Sequence, residues 1–282
     1  MPAVFLARRA GHARRSAQQF VVFGHISDQG GNVCRLCLSS RVSKEHVPPK
    51  ASGNGPREWS VHTAKNGRAF VERRRYQAGF FVRSACAPCN NGVLSQLAAA
   101  YSKYLQVVRA SPPICDPDGR YLIASPEDAT SFIRHVVWMI LAIEPAGQFG
   151  GPNEALRAFV RGDIPTVDLP FTVRAFRVPQ SPRAGTIQPL HARAFFLRDF
   201  AADPSFTQPG ELYGGEVSHY PLGFVFGYQF SAGYRIDEMF DLSGWARGDR
   251  PERFMRLPLR LTGIDTINRM STRRCGPEYG GI

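Results

Sequence analysis

The chain has 282 residues, of which 43% are hydrophobic and 21% charged, enough apolar material to bury a core over a length that suits two domains. The longest apolar candidate, Val136 to Ile143 between His135 and Glu144, is far shorter than the roughly 20 residues that span a bilayer. A membrane-spanning helix is therefore excluded, and a soluble globular chain is expected. A net charge of +12 and a pI near 9.9 favour a polyanionic partner, because Lys and Arg displace the counterions of phosphates. Of the 35 basic residues 31 are Arg, so part of the charge is compositional, and its position along the chain matters more than its total.

Residues 1–31 read as a basic arm with a short strand over Gln19 to Ile26. Arg8, Arg9, Arg14 and Arg15 are not followed by the apolar stretch of a secretory signal. Residues 32–110 read as one module. It opens on Cys34 and Cys37, continues extended through Val42 to Val47, and is broken by Pro48-Pro49, which lack amide donors. Residues 51–67, rich in Gly, Asn and Pro, read as a long loop. The β-rich runs Ala69 to Tyr76 and Gly79 to Ser84 read as a hairpin joined by Gln77-Ala78. After Cys86 and Cys89, the spacing of Leu94, Leu97, Ala98, Tyr101, Leu105 and Val108 predicts a helix from about Asn91 to Arg109.

Residues 111–124, with three prolines and a Pro-Asp-Gly turn, read as a linker. Residues 125–282 then read as an α+β domain. Ser125-Pro126-Glu127-Asp128 predicts a helix start for a helix reaching Ile143, and a shorter helix is expected over Asn153 to Val160. Strand-like runs follow at Phe171–Val178, His191–Leu197, Gly223–Phe230 and Phe254–Leu261. His135, on an apolar helix beside Trp138, is expected in the core. Glu216 and His219 have no diagnostic spacing. The fold class is therefore α+β, an N-terminal cysteine-bearing module followed by an α+β domain.

Two Cys-x-x-Cys pairs, Cys34/Cys37 and Cys86/Cys89, each offer two sulfurs from a tight turn, and together they make a tetrahedral site for a structural zinc ion. Cys115 and Cys275 stand alone in sequence, and paired plus lone thiols suit a reducing cytoplasm better than a disulfide framework. Between the pairs lies Lys44-Glu45-His46-Val47-Pro48-Pro49-Lys50, and Asn90-Asn91 follow the second pair. Taken singly, each has a bland role. His46 suits a hydrogen-bonded strand end, Glu45 and Lys50 a solvated face, and Asn90 a helix cap. Their joint placement around the cysteines points to a second, hydrated metal site with a base beside it.

This arrangement, Cys34-x-x-Cys37, Glu45-His46 and Cys86-x-x-Cys89-Asn90, resembles the zinc-stapled HNH endonucleases of the ββα-metal class, in the order found in recombination endonucleases. The resemblance covers about residues 32–110. It implies His46 as general base, Glu45 and Asn90 as ligands of a catalytic Mg2+ or Mn2+, and zinc as scaffold, with hydrolysis of phosphodiesters in DNA as the activity. RNA is not excluded, and the C-terminal domain would select the substrate or bind a protein partner. A hard ion in a shell of oxygen ligands fits Mg2+ or Mn2+. Asn91 competes with Asn90, which the family pattern prefers. Relatives carry a loop-fixing asparagine five residues before the second pair, where this chain has Phe81, and Asn54 and Asn66 are the candidate substitutes. The 48 residues between the cysteine pairs exceed the compact form of the motif. Residues 56–83 hold seven basic side chains against two acids, interleaved with aromatic residues. Lys50, Arg73, Arg74, Arg75 and Arg83 are accordingly the candidate phosphate contacts.

Overall fold

The computed structural model describes residues 5–6, 19–22, 33–39, 41–54, 57–65, 68–76, 81–143, 153–178, 190–198, 212–227 and 239–258. For 5–6, 19–22, 57–65, 68–76, 190–198 and 212–215 it describes the backbone alone. Two short strands, β1 (Phe5–Leu6) and β2 (Gln19–Val22), open the chain. Strand β3 (Ser43–His46) follows the first cysteine pair, and a 3-10 turn, Lys50–Ser52, follows its two prolines.

Strands β4 (Arg57–Lys65) and β5 (Arg68–Tyr76) then pair antiparallel from Arg57↔Tyr76 to Lys65↔Arg68. Strand β6 (Phe81–Ala85) pairs with β3, His46 lying opposite Phe81 and Glu45 opposite Val82. This corrects two expectations. Residues 57–65 are strand rather than loop, and β5 takes β4 rather than β6 as its partner. β4 and β5 are near neighbours along the chain, whereas the union of β3 and β6 is a long-range event.

Helix α1 (Ala87–Asn91) carries Cys89 and Asn90, and α2 (Val93–Ala110) follows at once. They are separate because the chain bends at Gly92, where a Cβ would lie 2.8 Å from Pro88 O. The predicted interior face of α2 is buried at Leu94, Leu97, Tyr101, Leu105 and Val108, at about 1.5–3 kcal/mol for each large side chain.

The expected linker contains β7 (Ile114–Cys115) and β8 (Tyr121–Ala124). The turn at Asp116 reverses the chain, Gly119 N donating to Asp116 O at 3.0 Å and Arg120 N to Asp116 Oδ1 at 2.8 Å, so the two strands pair. Helix α3 (Ala129–Ile143) starts later than the Ser-Pro signal suggests, because Asp128 caps it by accepting from Ser131 N at 2.9 Å. Helix α4 (Glu154–Arg161) is capped by Asn153. Strands β9 (Thr172–Arg177), β10 (Leu190–Arg198), β11 (Leu212–His219), β12 (Leu222–Gly227) and β13 (Phe240–Asp241) come next, then α5 (Ser243–Ala246) and β14 (Phe254–Leu257).

The sheet order is β1-β2-β10-β11-β12-β9-β13 in a seven-stranded sheet, with β14-β8-β7 as a three-stranded one. All pairings among the described residues are antiparallel, and the fold is mixed α+β. One hydrophobic cluster runs from Leu36, Val82 and Leu94 through α3 to Phe224 and Leu257. Tyr101 of α2 stacks on Phe132 of α3 at 5.6 Å, with His135 at 4.8 Å. His135 is core as expected, and burial holds its imidazole down to about 3. No helix among the described residues is long and apolar enough to cross a membrane.

Candidate metal centre

Each cysteine pair is shaped by its own backbone. Around the first, Cys34 N donates to Ser39 O at 2.7 Å and Leu38 N to Cys34 O at 2.8 Å, with Leu38 in the left-handed region at φ 63. In the second, Cys86 precedes the first residue of α1, and Asn90 N donates to Cys86 O at 2.9 Å. Arg35 N donates to Ser84 O at 2.8 Å, which sets the first knuckle against β6.

The four sulfurs lie within 4.8 Å of one another, and Cys37 Sγ is 3.5 Å from Cys86 Sγ. A tetrahedron of Zn–S bonds of about 2.3 Å has edges of about 3.8 Å, so the donor set fits a zinc ion. The electrostatics agree. The side-chain hydrogen bond between Cys37 and Ser39 holds the Cys37 thiol down to about 6, whereas burial, then Cys86 and Cys37 beside it, push the Cys89 thiol up. Four thiols this close resist ionising together unless a cation neutralises them. These four cysteines carry free thiols. Cys115, read from sequence as a lone thiol, is disulfide-bonded, so cysteine usage does not by itself assign a redox compartment.

The cluster holds the 34–37 knuckle against the start of α1, and Asn90 ties α1 to β3. Asn90 Nδ2 donates to Ser43 Oγ at 3.3 Å and to Lys44 O at 3.1 Å. Strand alternation then divides the neighbouring side chains. Lys44 and His46 share the outer face of β3–β6 with Phe81 and Arg83. Lys44 Nζ lies 4.7 Å from the Phe81 ring centroid, and the His46 ring stands edge-on to it at 6.3 Å. Lys44 and Arg83 are exposed, and His46 is half-buried.

Glu45 faces inward and is 7% exposed. Its Oε1 accepts the Trp138 indole N–H, and its Oε2 accepts from Ser84 Oγ at 3.2 Å. Burial pushes its carboxyl up to about 7, against the pull of those two donors. The resemblance makes Glu45 and Asn90 ligands of one hard ion. In the described arrangement Glu45 is engaged with Trp138 and Ser84, and the Asn90 amide nitrogen with Ser43 and Lys44. These bonds occupy the carboxylate oxygens of Glu45, whereas on Asn90 they use Nδ2 and not the Oδ1 through which an amide would hold a hard ion.

Lys50 is exposed on the 3-10 turn. Arg73, Arg74 and Arg75 lie on β5 opposite Ser60, Trp59 and Glu58, and their side chains fall outside the described residues. Asn54 is fully buried and donates from Nδ2 to Pro48 O at 2.7 Å, tying down the turn two residues after His46. Ser52 Oγ donates to Pro49 O at 2.7 Å and lies 3.2 Å from His219 Nε2. Arg109 donates to the carbonyls of Ser52 and Tyr220. Sequence reasoning missed Ser84, Trp138, Ser52 and Arg109. Trp138 lies 93 residues from Glu45, and no local pattern marks that contact. A scan against protein-family models matched none, and searches of curated proteins and of solved structures likewise found no match.

Proposed function

We propose that this chain is a metal-dependent, HNH-type endonuclease that hydrolyses phosphodiester bonds in DNA, with His46 as general base. The supporting observation is that the helical segment opened by the second cysteine pair is tied through Asn90 to the strand that carries His46. Antiparallel β3 and β6 followed by α1 and α2 give the strand, strand, helix order of a ββα-metal module. Imidazole accepts a proton near neutral pH. His46 would take one from water as the oxygen attacks phosphorus, while the leaving oxygen departs on the opposite side. Lys44 and Arg83 on the same face, with Lys50 beyond the turn, set positive charge against the phosphate. Zinc holds the 34–37 knuckle to the start of α1. No step is assigned to Mg2+ or Mn2+, because the Glu45 carboxylate is turned to Trp138 and Ser84.

The loop-fixing asparagine has a counterpart in Asn54, whose bond to Pro48 O restrains the turn beside the base. The residues after 124 would select the substrate or a protein partner, and the cytoplasm is the proposed compartment.

The engagement of Glu45 favours one second reading, a zinc module that binds nucleic acid or protein without catalysis. Nicking of supercoiled plasmid in Mg2+ or Mn2+ separates the two. Wild type should cut, and His46→Ala should fall by about 10²–10⁴-fold with zinc content and DNA affinity retained. Equal cutting by both removes His46 as the base. No cutting by zinc-loaded wild type leaves the binding module.

A further inference from the structure

The β4–β5 ribbon is an element for which the reading above has no structural task. Its strands run nine residues each and, among the described residues, pair only with each other. A free two-stranded ribbon is marginal on its own in water. Antiparallel register puts Arg57, Trp59, Val61, Thr63 and Lys65 on the same pleat face as Arg68, Phe70, Glu72, Arg74 and Tyr76. That face carries four bases and one acid, with bases at both ends of the ribbon. The other face holds Arg73, Arg75 and Glu58 among its charges.

Size narrows the partner. Two strands stand about 5 Å apart, and a ribbon with its side chains matches the major groove of B-DNA, about 12 Å wide. Nine residues at about 3.3 Å each give roughly 30 Å of ribbon, near the length of one turn of duplex. The major groove of A-form RNA is too narrow and deep for such an element. From this register and charge we infer that β4–β5 is a docking arm that lies in the major groove of duplex DNA, its bases on the flanking phosphates. The inference rests on the nucleic-acid reading above, and it specifies double-stranded DNA over RNA and over single strands.

The test is fluorescence anisotropy on a labelled DNA duplex of about 30 base pairs, titrated with the whole protein at several NaCl concentrations in magnesium-free buffer. Replacing Arg57, Lys65, Arg68 and Arg74 by Gln should flatten the plot of log K against log salt by roughly 3 to 4, at about 0.9 per phosphate contact. A tip pair, Lys65→Gln with Arg68→Gln, should flatten it by about 2 and decides the matter if the fourfold variant loses its zinc. Removing the same charge from the exposed Arg247, Arg250, Arg253 and Arg256 should leave the slope within about 1 of wild type. Methyl green, which occupies the major groove, should displace the protein, and netropsin, in the minor groove, should not.

An equal fall in the control variant, or binding to RNA duplex or single-stranded DNA as tight as to DNA duplex, overturns the arm. Because no cleavage is read, a protein that binds in this way without cutting refutes the nuclease reading alone. Cutting with an unchanged slope in the ribbon variants refutes the arm alone.

Discussion

Glu45 is a candidate metal ligand whose surroundings predict different behaviour. Replacing it by Gln keeps the shape of the side chain. The amide oxygen accepts from Trp138, and the amide nitrogen faces Ser84. What changes is ionisation. The buried carboxyl is pushed up to about 7 from an ordinary value near 4.5, so folding opposes its ionisation. The contribution of Glu45 is therefore fully present below about pH 4.5 and is lost as pH rises to about 7. A rise of about 2.5 pH units, at 1.36 kcal/mol per unit, corresponds to about 3 kcal/mol. Relative to wild type, Glu45→Gln should gain on the order of 1 kcal/mol at about pH 5 and 3 kcal/mol above about pH 8. The measurement is urea unfolding of both proteins across that range with zinc bound. Taking the difference removes the opposite trend of His135, whose imidazole is held down to about 3 by burial. A flat difference, as a solvated carboxylate would give, or a loss in the variant that grows with pH, as an ion-bound carboxylate would give, refutes the reasoning. Repeating the series with Mg2+ sharpens the result, because an ion ligated by Glu45 would stabilise only wild type.

Two further outcomes follow from the site. Cys86→Ser should lose the zinc and unfold the module, whereas Cys115→Ser should keep wild-type metal content, both read by elemental analysis and circular dichroism; zinc retained in Cys86→Ser would disprove the four-thiolate site. Asn54→Ala removes the buried bond to Pro48 O and should cost about 1–3 kcal/mol in urea unfolding; in the nuclease reading it should also slow nicking without changing the salt dependence of DNA binding, and unaltered stability and nicking would remove Asn54 as the support of the turn.

The sequence alone determined what depends on neighbours along the chain. Cys-x-x-Cys pairs make their own turns, so the metal donors were legible by spacing. The interior face of α2 follows from a 3.6-residue period, and Leu94, Leu97, Tyr101 and Leu105 are all buried. Asn153 at the start of α4 and the β9, β10, β12 and β14 runs were readable for the same local reason. Tertiary structure decided everything that joins distant segments. The thiol cluster draws residues 34–37 against 86–89, and this long-range closure gives β3 to β6 and leaves β5 to β4. Alternation along β3 separates Glu45 from His46, but only α3, arriving from 93 residues away, covers that inner face and engages the carboxylate through Trp138. Spacing can place a carboxylate beside an imidazole. Whether that carboxylate meets an ion or an indole depends on which surface packs over it, because hydrophobic burial is non-directional and carries no local signature.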